Sequence, residues 1–65
     1  MKVRITFGDG NAALEKDWPA IPHKGNIVMI EDGLQLGEYL VDNVGWTLDK
    51  DGEIKEVRIH LVPQE

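Results

Sequence analysis

The chain contains neither cysteine nor serine, and these two absences exclude much of the chemistry that small proteins perform. Without cysteine there can be no disulfide and no cysteine-based zinc site. Thr6, Thr47 and Tyr39 carry the only side-chain hydroxyls, and neither threonine has an obvious base beside it. A chain of 65 residues also leaves little volume for a catalytic pocket. We therefore predict that the protein is not an enzyme and has no cofactor.

Long apolar runs are missing as well. No stretch approaches the roughly 18 apolar residues that a membrane span needs, and Met1–Arg4 does not lead into a signal-peptide core. These features predict a cytoplasmic protein that makes no membrane contact. The length allows one small domain, so we expect residues 1–65 to form a single domain.

Positive charge is scarce, and the deficit lies in one half of the chain. Residues 1–30 carry four basic and three acidic side chains, whereas residues 31–65 carry three basic and nine acidic ones. The halves are +1 and −6, which sum to the formal charge of −5. Such a surface repels a phosphate backbone, so binding to nucleic acid is not expected. The acidity either keeps a small protein soluble or forms a face that docks on a basic partner.

Strand patterns and turn signals divide the chain. Lys2–Phe7 alternates between apolar and polar residues, as a half-buried strand does, and Gly8–Asn11 is typical of a turn. Ile27–Ile30 is apolar throughout, which favours a strand that is buried on both faces or pairs near the centre of a sheet. Asp49–Gly52 predicts a hairpin turn, and Val57–Leu61 alternates again.

The segment Tyr39–Leu48 predicts a bent strand. Its apolar residues change parity in the middle, and a β-bulge at Asp42–Asn43 would reset the alternation. All five apolar side chains would then face the core: Tyr39, Val41, Val44, Trp46 and Leu48.

Ala12–Trp18 has the one helical pattern in the chain. Asn11 is a suitable N-cap, Ala12–Lys16 contains good helix formers, and Pro19 would end the helix. Seven residues are few for a helix, so a loop is the alternative. The expected fold is mainly β, with one short helical turn near residues 12–18. The four or five strands would form a small bent antiparallel sheet or an SH3-like barrel.

Candidate metal ligands do not form a recognisable site. The segment Asp49–Glu53 resembles part of a calcium-binding EF-hand loop, but Arg58 would then occupy the position that requires a bidentate carboxylate. His23 and His60 lie in a loop and on an outward strand face. No metal site is predicted.

The two tryptophans and the acidic segment are the candidates for a contact surface. Trp46 is predicted to belong to the core, whereas Trp18 either covers the core or stands exposed at a contact. With Trp18, four carboxylates are predicted to bind a partner: Glu31, Asp32, Glu38 and Asp42.

Three segments resemble small SH3-like β-barrel proteins that phages and mobile elements encode. They are Ile21–Ile30, Gly37–Trp46 and Val57–Leu61, within residues 21–62. The shared pattern is Pro-x-x-Gly-(Asp/Asn)-x-Val, then Tyr-x-Val-x-x-Val-x-Trp, then an alternating final strand. Most proteins of this kind lack a defined activity, and those that have one tend to bind and inhibit a host protein. The resemblance assigns no functional residue.

The favoured hypothesis is therefore a non-enzymatic protein-binding module, a phage-type inhibitor or modulator that presents an acidic surface to a basic partner. One alternative is a small nucleic-acid-binding β-barrel that uses Lys2, Arg4 and a stacking Trp18. The other is a structural subunit that works as a homo-oligomer.

Overall fold

The computed structural model is built from one five-stranded sheet that curls into a half-barrel. It describes residues 1–10, 12–31, 33 and 35–64. The strands are β1 (Lys2–Phe7), β2 (Leu14–Asp17), β3 (Ile27–Ile30), β4 (Gly37–Leu48) and β5 (Ile54–Pro63). The described residues contain no helix, and hence none that could cross a membrane. The prediction of a small, mainly β fold is confirmed.

The order of the strands is β2-β1-β5-β4-β3, so β5 lies at the centre of the sheet. It pairs antiparallel with β4 and parallel with β1, and the remaining pairs are antiparallel. The sheet is thus mixed: the predicted antiparallel pairing holds for three of the four strand pairs, but not for β1 with β5. Alternation fixes which residues face inward, but it is the same in either strand orientation and so does not reveal a parallel pair.

The core lies on the concave face of the three central strands. Its buried side chains come from alternate positions of β1, β4 and β5: Val3, Ile5, Phe7, Tyr39, Val41, Val57, Ile59 and Leu61. The rings of Phe7 and Tyr39 meet edge to face with centroids 5.3 Å apart. This arrangement is favourable for aromatic pairs beyond the apolar area it buries. The predicted inward parity of β1 and of Val57–Leu61 is confirmed.

The predicted bulge in β4 is present. Val41 pairs with Leu61 and Asn43 with His60, so Asp42 is the extra residue. A second irregularity follows near the end of the hairpin, where Lys55 is the extra residue on β5. The first bulge keeps Tyr39, Val41, Val44, Trp46 and Leu48 on one face of β4, and the second brings Ile54 of β5 to the same face.

The predicted helical turn at residues 12–18 was wrong. Leu14–Asp17 instead forms the edge strand β2, which pairs with β1 over Lys2↔Asp17 to Ile5↔Leu14. The backbone N–H of Trp18 continues the ladder by donating to the Met1 carbonyl at 2.9 Å. A helix this short is marginal by itself, whereas pairing with β1 satisfies the backbone along one side. Asn11, the predicted cap, lies outside the described residues.

Ile27–Ile30 forms β3 with the predicted bounds, but it lies at the edge of the sheet. Val28 and Ile30 pack against the core, while Ile27 and Met29 are exposed on the convex face. Both predicted positions were therefore wrong: β3 is at the edge rather than near the centre, and no second layer covers the convex face of the described sheet.

The turn between β4 and β5 has the predicted position. The Asp49 carboxylate accepts hydrogen bonds from the backbone N–H groups of Asp51 and Glu53 at 2.8 and 3.0 Å. Gly52 has a φ of +84°, a conformation that favours glycine. The aspartate and the glycine therefore explain why the chain reverses here.

Candidate functional site

The hairpin of β4 and β5 extends past the strands on either side of it. β3 pairs with β4 only from Gly37 to Leu40, and β1 pairs with β5 only from Val57 to Leu61. Residues 46–56 therefore form a hairpin arm, most of which is only two strands wide. The long dimension of the molecule, 40 Å against 21 Å for the other two, agrees with this shape.

One face of the hairpin arm is apolar and exposed. Trp46 pairs with the buried Val57, and Leu48 pairs with Ile54, so these side chains continue the face that carries the core. The exposed fractions of Trp46, Leu48 and Ile54 are 50%, 55% and 47%. Together these three side chains form the apolar arm face. The apolar concave face thus continues along the hairpin arm, past the part of the sheet in which five strands enclose the core.

A groove adjoins the apolar arm face at its inner end. Its volume is about 310 Å³, and it is lined by Met1, Ile21, Pro22, His23, Lys24, Val44 and Trp46. The backbone N–H of Gly25 donates to the Val41 carbonyl and that of Val41 to the Asn26 carbonyl, each at 2.9 Å. These bonds hold the loop before β3 beside the hairpin, so one side of the Trp46 ring borders a formed concavity.

Acidic groups surround the tip of the hairpin arm. The arm carries four carboxylates and two lysines, Lys50 and Lys55, so its formal net charge is −2. The carboxylates are those of Asp49, Asp51, Glu53 and Glu56. The apolar arm face therefore has a negatively charged border.

The sequence predicted a different contact set, and its members are dispersed. Trp18 is half-buried and packs against the core. Glu31 follows the end of β3, Glu38 lies opposite Met29 on the convex face, and Asp42 is the exposed bulge residue. Asp32 lies outside the described residues. Which of these residues bind a partner stays a prediction.

The sequence pattern predicted that the Trp46 side chain belongs to the core, and that prediction was wrong. The parity was right, because Trp46 does lie on the concave side. The error concerned coverage, since half of the side chain is exposed. The sequence did contain an indication of this. Ile27–Ile30 predicts a strand of only four residues, which is too short to lie beside the whole of the ten-residue segment Tyr39–Leu48.

A second apolar surface lies in the gap between the two edge strands, which we call the seam. A cavity of about 160 Å³ is lined from the β2 side by Leu14, Lys16 and Trp18 and from the β3 side by Val28 and Ile30. Its floor is Ile5, Phe7 and Leu61. In the described sheet β2 and β3 do not pair, so the half-barrel stays open here.

The histidines do not assemble into a metal site in the part of the chain that the structure describes. The backbone N–H of His23 donates to the Asn26 side chain at 2.7 Å, and the His60 ring bonds to the Thr6 hydroxyl at 2.7 Å. Comparison with protein-family models, with curated proteins and with solved structures finds no match. The function therefore has to be inferred from the surfaces of this chain alone.

Proposed function

We propose that this chain is a non-enzymatic protein-binding module whose main contact is the apolar arm face. One observation carries the proposal: Trp46, Leu48 and Ile54 lie together on a narrow arm, each about half exposed. A two-stranded hairpin is at best marginally stable alone, and exposing its apolar side adds to that cost. Contiguous exposed apolar groups of this kind mark interaction surfaces.

Trp46 is the residue expected to dominate the binding energy. Tryptophan is enriched among the few interface residues whose truncation costs about 2 kcal/mol or more. The groove of about 310 Å³ beside its ring offers a place for a side chain of the partner. The ring would then be enclosed on two sides in the complex, the setting in which such residues contribute most.

The partner we propose has an apolar patch bordered by basic residues. The hairpin arm is −2 and residues 31–65 are −6, so a basic border would be attracted and steered toward the arm. A second copy of this chain fits less well, because joining two arms face to face would bring two acidic tips together. Glu31, Glu38 and Asp42, which are exposed on other parts of the chain, would contribute to the steering.

The biological role we propose is modulation of the partner by occupying its surface. This is the role of those phage-encoded small barrels that have a defined activity, which the chain resembles. A chain without serine or cysteine has few groups with which to modify a partner covalently. Binding alone would therefore be its means of action.

The test compares substitutions on the two faces of the arm. Wild type, Trp46→Lys and Thr47→Lys are immobilised and exposed to a cell lysate, and any protein retained is identified and purified. Both variants add one positive charge to β4, but Thr47 lies on the opposite face, where it pairs with Glu56. Circular dichroism confirms that each variant is folded.

Affinities measured with the purified partner decide the outcome. Trp46→Lys should weaken binding by about 30-fold or more, whereas Thr47→Lys should change it by less than about threefold. In a Trp18→Phe background, Trp46 fluorescence should shift to the blue and become protected from acrylamide when the partner binds. Equal affinities for the two lysine variants would contradict the proposal.

Sedimentation and oligonucleotide titration cover the two alternatives. A dimer that Trp46→Lys dissociates would assign the apolar arm face to a second copy instead. Binding of single-stranded DNA that weakens steeply with salt would favour the nucleic-acid hypothesis. Lys2 and Arg4 already have Glu15 as an ion-pair partner, at 3.9 and 3.1 Å, so this patch is partly neutralised.

A further inference from the structure

A second candidate site lies on the convex face, on the opposite side of the sheet from the apolar arm face. Strand pairing places Arg4, Arg58 and Gly45 in one row across β1, β5 and β4. Thr6, His60 and Asn43 form the next row. These six residues line an open groove of about 410 Å³, which we call the convex groove.

The two arginines in the first row form an unfavourable neighbour pair. Like charges directly opposite each other on a sheet repel and destabilise it. Arg4 is compensated by Glu15, whose carboxylate lies 3.1 Å from the guanidinium. Arg58 has no ion pair and no side-chain hydrogen bond among the residues that the structure describes. The Glu56 carboxylate lies on the same face but not within 4.0 Å of the Arg58 guanidinium. Among the residues that the structure describes, Arg58 is thus unpaired, although the chain has twelve Asp and Glu side chains.

The groove is open because Gly45 has no side chain. A Cβ added at Gly45 would lie 3.5 Å from Nη2 of Arg58, so the guanidinium extends over this position. The neighbouring row adds polar groups in fixed positions. Nδ1 of His60 is 2.7 Å from the Thr6 hydroxyl, and this bond fixes the imidazole ring. Asn43 adds an exposed amide on the far side.

We propose that the convex groove binds the phosphate group of a small phosphomonoester. The planar guanidinium of Arg58 matches two oxygens of such a group, and its donors have no internal partner to displace. A phosphate dianion would also relieve the repulsion between Arg58 and Arg4, which a singly charged carboxylate would relieve less. The volume exceeds that of phosphate alone and lies in the range of small-molecule sites, so an organic part of the ligand is accommodated.

The net charge of −5 distinguishes this ligand from a nucleic acid. A long phosphate backbone would have to follow a surface that is negative overall, and it would be repelled beyond the groove. A single phosphate group needs only the local excess of Arg4, Arg58 and donors around them. The site is independent of the apolar arm face, so the two proposals can fail separately.

The test follows backbone amides by ¹H–¹⁵N NMR while inorganic phosphate or ribose 5-phosphate is added at constant ionic strength. Arg58→Gln removes the unpaired guanidinium. Lys55→Gln, a matched control, removes one positive charge from the same strand outside the groove. Arg58→Lys keeps the charge but loses the planar fork, and it preserves the test if the glutamine variant is unfolded.

Saturable shifts confined to residues 4–6, 43–45 and 58–60 are expected, with tighter binding of ribose 5-phosphate than of phosphate. Arg58→Gln should weaken binding by about tenfold or more, Arg58→Lys by less, and Lys55→Gln by less than about twofold. Unsaturable shifts spread over the surface, or equal effects of Arg58→Gln and Lys55→Gln, would overturn the proposal. Preferential binding of a single-stranded oligonucleotide at the same residues would overturn the choice of a monoester.

Discussion

Two isoleucines on one strand show how the surroundings of a residue decide its contribution. Ile54 and Ile59 both belong to β5 and face the concave side. Ile59 is 1% exposed in the five-stranded part, whereas Ile54 is 47% exposed on the hairpin arm. Substitution with alanine removes the same atoms at both positions. The difference between the two losses of unfolding free energy therefore measures how well each side chain is packed.

Ile59→Ala should lower the free energy of unfolding by about 2–5 kcal/mol, because it leaves a cavity in the core. Ile54→Ala should lower it by less than about 1 kcal/mol, because half of its side chain already contacts water. Urea denaturation followed by circular dichroism measures both values. Similar losses at the two positions would show that the apolar arm face is covered in the free protein.

Trp46 marks the limit of what could be predicted for single residues. Alternation, corrected for the bulge at Asp42, placed it on the right face of the right strand. Burial, however, depends on whether another strand lies alongside, and that is a property of distant segments. The sequence therefore predicted which side chains could be buried, and the structure shows that Val41 is buried while Trp46 is not.

At the scale of elements, the edge strand β2 is where local preference and long-range pairing disagree. Ala12–Lys16 prefers a helix by composition, yet Leu14–Asp17 pairs with β1. The exposed pairing of Arg4 with Glu15 adds a cross-strand ion pair. A preference of a few tenths of a kcal/mol per residue over so few residues is outweighed by a shared ladder.

Proline substitutions in β2 test this assignment. Trp18 donates to Met1, so every second pair is hydrogen bonded, and the N–H of Lys16 should point to Val3 while that of Glu15 points to solvent. Lys16→Pro should therefore cost about 1–3 kcal/mol of unfolding free energy, and Glu15→Pro less than about 1 kcal/mol. Thermal unfolding monitored by circular dichroism compares them. Equal losses would instead indicate a helix, whose interior excludes proline at either position.

The bulge and the hairpin turn were predictable because their signals are local. The parity change within Tyr39–Leu48 requires an extra residue, and Asp49–Gly52 carries side chains that suit a turn. The parallel pairing of β1 with β5 has no such local signal. The same holds for the candidate sites: the convex groove exists only when β1, β5 and β4 lie side by side, which places Arg4, Arg58 and Gly45 in one row.

At the scale of the whole molecule, stability should decrease from the central strand to the edges. β5 is flanked by β4 and β1, whereas β2 and β3 each have one neighbour. Among the described residues, these two edge strands do not pair with each other across the seam, and no third strand pairs with the tip of the hairpin arm. The regions with the fewest neighbours open first when a protein fluctuates.

Native-state hydrogen exchange should follow this order. The amides of residues 57–61 should exchange only through global unfolding, because they lie in the central strand among buried side chains. The amides of β2, β3 and residues 47–55 should exchange faster by local opening. The measurement is NMR-detected exchange in D₂O at several low denaturant concentrations. Uniform protection across all five strands would contradict this gradient and would indicate that the seam is closed in solution.

The parallel pair of β1 and β5 also has a consequence for biosynthesis. Val3 pairs with Val57, a partner 54 positions further along the chain. At roughly 5–20 residues per second, a ribosome needs about 3–11 s to make the intervening segment. During that time β1 has β2 as a neighbour, but the surface on which Val3, Ile5 and Phe7 will pack does not yet exist. The apolar face of β1 therefore cannot be buried while β1 and β2 alone have been made, and the core can form only after β5 is available.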